Sequence, residues 1–231
     1  MTKISKRFKE IAQLVNCDKT YKLDEAIEVL LSCPNLKFDE SVEIALKTGA
    51  DPKKADQQVR GTVSLPHGTG REVKLLIFAK GDKLKEALDA GADFVGDEET
   101  IEKIKGGWFG FNAVLATPDM MREVGKLGKI LGPRGLMPTP KAGTVTPNVG
   151  QATKEIKAGK VEYKLDKNAC INNLVGKKSF SKEQLIENIQ TFMGAINRAK
   201  PMSAKGQYLQ GLSLALTMGP GVKIDIQSVI S

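Results

Sequence analysis

The chain has 231 residues, 41% of them apolar and 5% aromatic, and its 35 basic against 27 acidic side chains leave a net charge of +8. That length suits two domains and that apolar content supports real cores, while the positive balance favours an anionic partner. The scarcity of aromatics excludes an extended base-stacking platform, and a single histidine with three cysteines, none in CxxC spacing, argues against a zinc site or a disulfide framework.

Cys17, Cys33 and Cys170 are expected to act as small buried hydrophobes in a reducing compartment. The N-terminal MTKISKRFKEIAQLV has no apolar core of signal-peptide type, and no run reaches membrane-spanning length. A soluble, cytoplasmic protein is expected. The charge is uneven: residues 67–158 hold 14 basic and 12 acidic side chains, and the two ends together hold 21 and 15. The ends therefore carry the field and are the expected docking surface.

In chain order, Ile4, Phe8, Ile11, Leu14 and Val15 recur at helical spacing among Lys3, Lys6, Arg7 and Lys9, which predicts a basic amphipathic helix. Asp24 and Glu25 open a second helix, through about Cys33, with Ala26, Ile27, Leu30 and Leu31 as its buried stripe. Pro34-Asn35 ends it. Ser41–Leu46 alternates as a strand and Val59–Leu65 is a second. Pro66-His67-Gly68-Thr69-Gly70 is a turn-rich break. From Glu72 the pattern changes. Val73–Ala79 is a near-continuous apolar run, the mark of a strand buried on both faces. A helix over Asp82–Ala90, a short strand at Phe94-Val95, a helix over Glu98–Lys105 and a buried strand at Ala113–Ala116 follow. Thr117 is placed to cap a further helix with Pro118 in its first turn. The glycine- and proline-rich Gly125–Val145, GKLGKILGPRGLMPTPKAGTV, then reads as a shaped basic loop rather than core. A helix over about Asn148–Ala158 closes this part.

Strands at Val161–Leu165 and Cys170–Leu174 come next. A long helix over Ser181–Ala199 has Ser181 as cap and Leu185, Ile189, Phe192, Met193 and Ile196 as its stripe. Leu209–Leu216 is a strand running into Thr217-Met218-Gly219-Pro220, and Val222–Ile226 is the last. The simplest architecture is α/β with two domains. A discontinuous α/β domain with an antiparallel sheet is built from both chain ends, 1–66 and 159–231. Residues 67–158 form an inserted, wound parallel α/β domain of Rossmann-like type.

Nucleotide and catalytic readings fail on spacing. His67-Gly68-Thr69-Gly70-Arg71 precedes its strand, whereas a dinucleotide fingerprint follows one and opens a helix. The turn after the strand, Lys80-Gly81-Asp82, has no G-x-G-x-x-G, and the Gly125–Gly135 run has no G-x-x-x-x-G-K-[ST]. No cofactor is expected, and no nucleophile–base–acid set recommends itself around His67. Trp108 and Phe111 are expected to seal the wound sheet rather than to stack bases. Thr217-Met218-Gly219-Pro220 offers a hydroxyl, a flexible thioether and a bare backbone at a strand end, a surface that RNA sugars and phosphates can approach closely.

Gly125–Val145 and Thr217-Met218-Gly219-Pro220 resemble the signature segment and the RNA-contacting tetrad of the large-subunit ribosomal protein family L-one, and the likeness covers essentially the whole chain. The resemblance implies a non-enzymatic, ribosomal RNA-binding protein of the mobile stalk near the tRNA exit site. It also implies a part in release of deacylated tRNA and, in some members, repression of their own operon messenger. Carried over residue by residue, it assigns RNA contacts to Thr217, Met218 and Gly219, and to Lys37, Phe38 and Ser41 beside them. Glu40 is expected to orient neighbours rather than touch RNA. Lys53, Lys54, Lys164 and Lys167 resemble the family's phosphate contacts, although the family often has Arg at the first three, and lysine lacks the bidentate fork. A monomer is expected outside the ribosome. A free-standing repressor or RNA chaperone is the competing reading.

Overall fold

The computed structural model describes residues 6–16, 19–204 and 206–230. Ile4, Lys3 and Cys17 of the sequence reading lie outside them. In chain order the elements are α1 (Lys6–Leu14), β1 (Thr20–Tyr21), α2 (Leu23–Ser32), β2 (Ser41–Thr48), β3 (Arg60–Ser64), β4 (Leu75–Phe78), α3 (Asp82–Asp89), β5 (Phe94–Val95), α4 (Glu98–Lys105) and β6 (Ala113–Ala116). Then follow α5 (Met121–Lys126), α6 (Gly128–Leu131), α7 (Val149–Lys157), β7 (Lys160–Lys164), β8 (Cys170–Lys177), α8 (Lys182–Arg198), β9 (Leu209–Leu216), β10 (Val222–Ile224) and α9 (Gln227–Ile230). They divide into two compact units, Met1–Gly70 with Val161–Ser231, and Arg71–Lys160. Among the described residues no helix is long and apolar enough to cross a membrane.

The discontinuous unit is built on a five-stranded sheet in the order β1-β10-β9-β2-β8, with β3 and β7 paired separately. β2 lies between β8 and β9 and is antiparallel to both. Its alternation puts Val42, Ile44 and Leu46 on the buried face and Glu43, Ala45 and Lys47 on the exposed one, as a half-buried strand requires. α2 and α8 supply the apolar layer that meets the buried face. The whole predicted stripe of α8, from Leu185 to Ile196, is buried. Its start is fixed by a reciprocal capping box: Gln184 N–H donates to Ser181 Oγ at 3.3 Å, and Ser181 N–H donates to Gln184 Oε1 at 3.1 Å.

Two expectations fail in this unit. β1 and its parallel pairing with β10 make the sheet mixed at one edge; two residues are too short to leave a period. In α1, Ile11 and Val15 are buried but Phe8 and Leu14 are 41% and 49% exposed, so only part of the apolar stripe faces the core. The crossing at Pro66–Gly70 is held from α8 by Asn188. This fully buried amide accepts from His67 N–H at 3.1 Å and donates to Gly68 O at 3.0 Å and to Val175 O at 2.8 Å.

The inserted unit is a three-stranded parallel sheet, β5-β4-β6. The continuous apolar run of β4 is explained by its two faces. Leu76 and Phe78 pack with Ile104, Val124, Leu127 and Leu131 on one side. Leu75 and Ile77 pack with Ala87, Val149 and Ile156 on the other. The Gly125–Val145 stretch corrects the loop reading. It contains the end of α5, α6 and a 3-10 turn at Pro140–Ala142, and Leu127 and Leu131 are fully buried. Its glycines mark turns at Gly135 and Gly143, both at positive φ, and its leucines, four apart, form one face. Thr117 does not cap the following turn; its hydroxyl leans on Phe78 O at 3.4 Å.

Three carboxylates of this unit sit below their ordinary range. Asp97 caps α4 and is lowered by hydrogen bonds from Thr100. Glu155 is lowered by Lys160 and Gln151. Asp93 is lowered because hydrogen bonds from Leu75 N–H and Lys157 outweigh its desolvation. A depressed folded pKa contributes stability above the unfolded values near pH 4, which is lost as pH falls through the folded ones. The inserted unit should therefore lose stability on acidification below about pH 4. Asp97→Ala should cost about 1 kcal/mol at pH 7 and flatten that acid loss; calorimetric scans between pH 7 and pH 3 measure both.

Candidate nucleic-acid interface

At the start of β2 the chain buries a carboxylate. Glu40 is 1% exposed, and a buried charge persists only when paired and hydrogen-bonded. Arg7 Nη2 on α1 donates to Glu40 Oε2 at 2.7 Å, and Met218 N–H donates to Glu40 Oε1 at 3.2 Å. The guanidinium closes the ring by donating to Met218 O at 2.9 Å. One further step along, Thr217 N–H donates to Ser41 O at 3.1 Å and Ser41 N–H donates to Thr217 Oγ1 at 2.9 Å. Gly219 N–H then turns back onto Leu216 O at 3.0 Å. The sheet ladder between β2 and β9 is thus continued past Val42 and Leu216 by one more backbone bond and by the side chains of Thr217 and Glu40.

The segment before β2 is tied down by the far end of β8. Lys177 Nζ donates to Asp39 O at 3.1 Å, Ser179 Oγ to Asp39 Oδ2 at 2.7 Å and Lys178 Nζ to Asn35 Oδ1 at 2.7 Å. With backbone and carboxylates so engaged, the apolar side chains point out. Phe38 is 52% and Met218 60% exposed. Both side chains are thus left facing outward at this corner of the unit. Beside them lies a groove of about 550 Å³ lined by Leu36, Lys37, Phe38, Asp39, Lys178 and Ser179. The Lys37 ammonium is exposed and makes no hydrogen bond or ion pair among the described residues.

The proposed contact residues fall into two places. Lys37, Phe38, Ser41, Thr217, Met218 and Gly219 come together at one end of β2, with Ser41 buried at 4% exposure and turned to holding Thr217. Lys53, Lys54, Lys164 and Lys167 lie toward the Thr48 end of that strand, whose eight residues span about 23 Å of extended chain. Lys53 and Lys54 follow β2, Lys164 closes β7, and Lys167 sits in the turn before β8, whose Ala169 O accepts Thr48 N–H at 2.9 Å. That turn is organised by Asp166, which accepts from Asn168 N–H at 2.8 Å and Cys170 N–H at 2.7 Å. All four lysines are exposed.

Sequence reasoning missed Arg7, which the pattern presents as one more cation on a basic helix. The available signal was an acidic Glu40 inside a stretch otherwise read as a contact surface, since a buried carboxylate demands a cation. Cys33 is buried as expected, and burial pushes its thiol up; Cys170 is half-buried. Among the described residues no group of three or more His, Cys, Asp or Glu is placed to hold a metal ion.

Removing one partner of a buried pair strands the other. Glu40→Ala should cost about 3–5 kcal/mol in urea unfolding. Arg7→Met with Glu40→Leu should cost less than the sum of the two single changes, with a coupling of about 1–3 kcal/mol.

The family model of the Ribosomal protein L1p/L10e family matches residues 30–220. The large ribosomal subunit protein uL1 of Protochlamydia amoebophila is 60% identical over 227 residues, 98% of this chain and 96% of that protein. The proteins of the same name from Kosmotoga olearia and Chlamydia caviae are 55% and 54% identical, each match covering 100% of both chains. The chain belongs to the Ribosomal protein L1p/L10e family, and with it to the ribosomal structural proteins rather than the enzymes.

Proposed function

We propose that this chain is a structural constituent of the large ribosomal subunit and that its discontinuous unit, about residues 1–66 and 159–231, docks a structured segment of large-subunit ribosomal RNA. The observation that carries the reading is the pair of exposed apolar side chains, Phe38 and Met218, held beside a hydrogen-bonded seam and the free cation Lys37. RNA shape is read through sugar faces, 2′-hydroxyls and phosphates, because a duplex hides its base edges in a deep groove. Met218 and Phe38 suit sugar or base faces. Gly219 lets the RNA backbone approach, and Lys37 meets phosphate. Ser41 acts by fixing Thr217, whose oxygen is already committed to Ser41 N–H. Lys54, Lys164 and Lys167 supply a second set of phosphate contacts at the far end of the sheet, so the RNA spans the unit rather than touching one spot.

Within the subunit the chain forms the mobile stalk near the tRNA exit site and assists release of deacylated tRNA. A messenger carrying a similar RNA fold meets the same surface, which provides for repression of its own operon. Both rest on the resemblance to the family and on a single surface that reads shape.

The test is binding to a stalk RNA fragment across a salt series. Met218→Ala and Thr217→Val should each weaken binding by about 1–3 kcal/mol with the fold intact by circular dichroism. Lys54→Gln or Lys167→Gln should weaken it more evenly and lower the log–log salt slope by about 0.7–0.9 each. Unchanged affinity in both tetrad variants removes the site assignment.

A further inference from the structure

The eight residues from Cys33 to Glu40 form neither helix nor strand, yet they carry Lys37 and Phe38. Two basic side chains grip both ends of this segment. Arg7, on α1, donates from Nη2 to Pro34 O at 3.3 Å and to Glu40 Oε2 at 2.7 Å. Lys178, in the turn between β8 and α8, donates from Nζ to Cys33 O and Asn35 Oδ1, and from its main-chain N–H to Glu40 O at 2.8 Å. Arg7 Nη1 also reaches Met218 O at 2.9 Å. The Cys33 thiol lies within the field of both cations: burial raises it most, and Lys178 and then Arg7 pull the other way.

By composition both residues belong to the positive field expected to meet phosphate. Their geometry places them elsewhere. The Arg7 side chain is 20% exposed, and both terminal nitrogens of its guanidinium are engaged by carbonyls and a carboxylate. Lys178 is half-buried, and its ammonium is turned onto a main-chain carbonyl and an amide oxygen. Hydrogen bonds from a charged donor are roughly twice as strong as neutral ones. Between the gripped ends, Lys37 and Phe38 make no hydrogen bond among the described residues, so the path of that stretch is set from its ends. An irregular segment that is ordered before binding avoids the entropy that ordering it on the ligand would cost.

We propose that Arg7 and Lys178 are positioning residues for RNA binding: they form an internal clamp that fixes the segment carrying Lys37 and Phe38, and Arg7 fixes Met218 as well, without either cation meeting phosphate. The clamp has this role only if the discontinuous unit docks RNA through Lys37, Phe38 and Met218. It divides the basic residues of that unit into two classes. Lys37, Lys54, Lys164 and Lys167 release counterions when RNA binds and so set the salt slope. Arg7 and Lys178 are committed to the protein and set affinity through the shape of the surface. Arg7→Lys keeps a charge beside Glu40 but has no fork to span Pro34, Glu40 and Met218.

The test titrates the full chain with the stalk RNA fragment over a salt series. Arg7→Lys and Lys178→Met should each weaken binding about tenfold at an unchanged log–log slope, whereas Lys37→Gln should lower that slope by about 0.7–0.9. Each clamp change is repeated in a chain carrying Phe38→Ala and Met218→Ala. There it should cost less than about threefold, because the side chains it positions are gone. A slope lowered by about 0.7–0.9 in Lys178→Met makes that lysine a phosphate contact and overturns the clamp. So do unchanged affinities, or equal losses in both chains, which are the mark of general destabilisation. If the chain with Phe38→Ala and Met218→Ala binds as tightly as its parent, the docking reading itself has failed. If that chain is weakened and the clamp variants are not, the clamp alone has failed.

Discussion

One buried carboxylate organises the discontinuous unit. Taking Glu40 out of water is unfavourable unless its charge is matched, and the match comes from Arg7 and Met218 N–H, groups 33 residues before it and 178 after it. A single electrostatic requirement therefore ties the first described helix, the start of the central strand and the segment after β9 into one corner. The backbone polar groups there are consumed internally, and what remains to face outward is apolar or cationic: Phe38, Met218 and Lys37.

The inserted unit solves a different problem by simpler means. Its parallel sheet hides both faces, with α4, α5 and α6 on one side and α3 and α7 on the other. Its polar chemistry is left to the periphery, where three carboxylates hold caps and lysines. The stretch rich in glycine and proline belongs to both layers of this logic: Leu127 and Leu131 enter the core while the cations between and after them stay outside.

Elements with a strong period were legible from residues alone. β9, α4, β5 and β6 have the boundaries that patterning predicts, and α8 announces itself through Ser181, Gln184 and an unbroken stripe. Short or long-range features were not. β1 has two residues and exists because β10 is there to pair with it. The density of glycine and proline hid the apolar spacing of Leu127 and Leu131, since turn chemistry and helix periodicity compete in the same window. The pairing of Arg7 with Glu40 depends on tertiary placement that no local pattern encodes. Strand register likewise separates Lys54, Lys164 and Lys167 from the tetrad, a division invisible in a linear chain.

The strand order also sets a schedule for synthesis. β2 completes its hydrogen bonding only with β8 and β9, whose residues emerge more than a hundred positions later. At ribosomal elongation rates that interval is on the order of ten seconds. Throughout it the nascent N-terminal strand has Val42, Ile44 and Leu46 without their sheet neighbours. The inserted unit, contiguous in sequence, is complete first. Its folding shortens the chain that must be closed before β2 meets β8, which reduces the loop entropy opposing that step. Insertion thus places the locally encoded unit as a scaffold in time for the one whose strands are far apart.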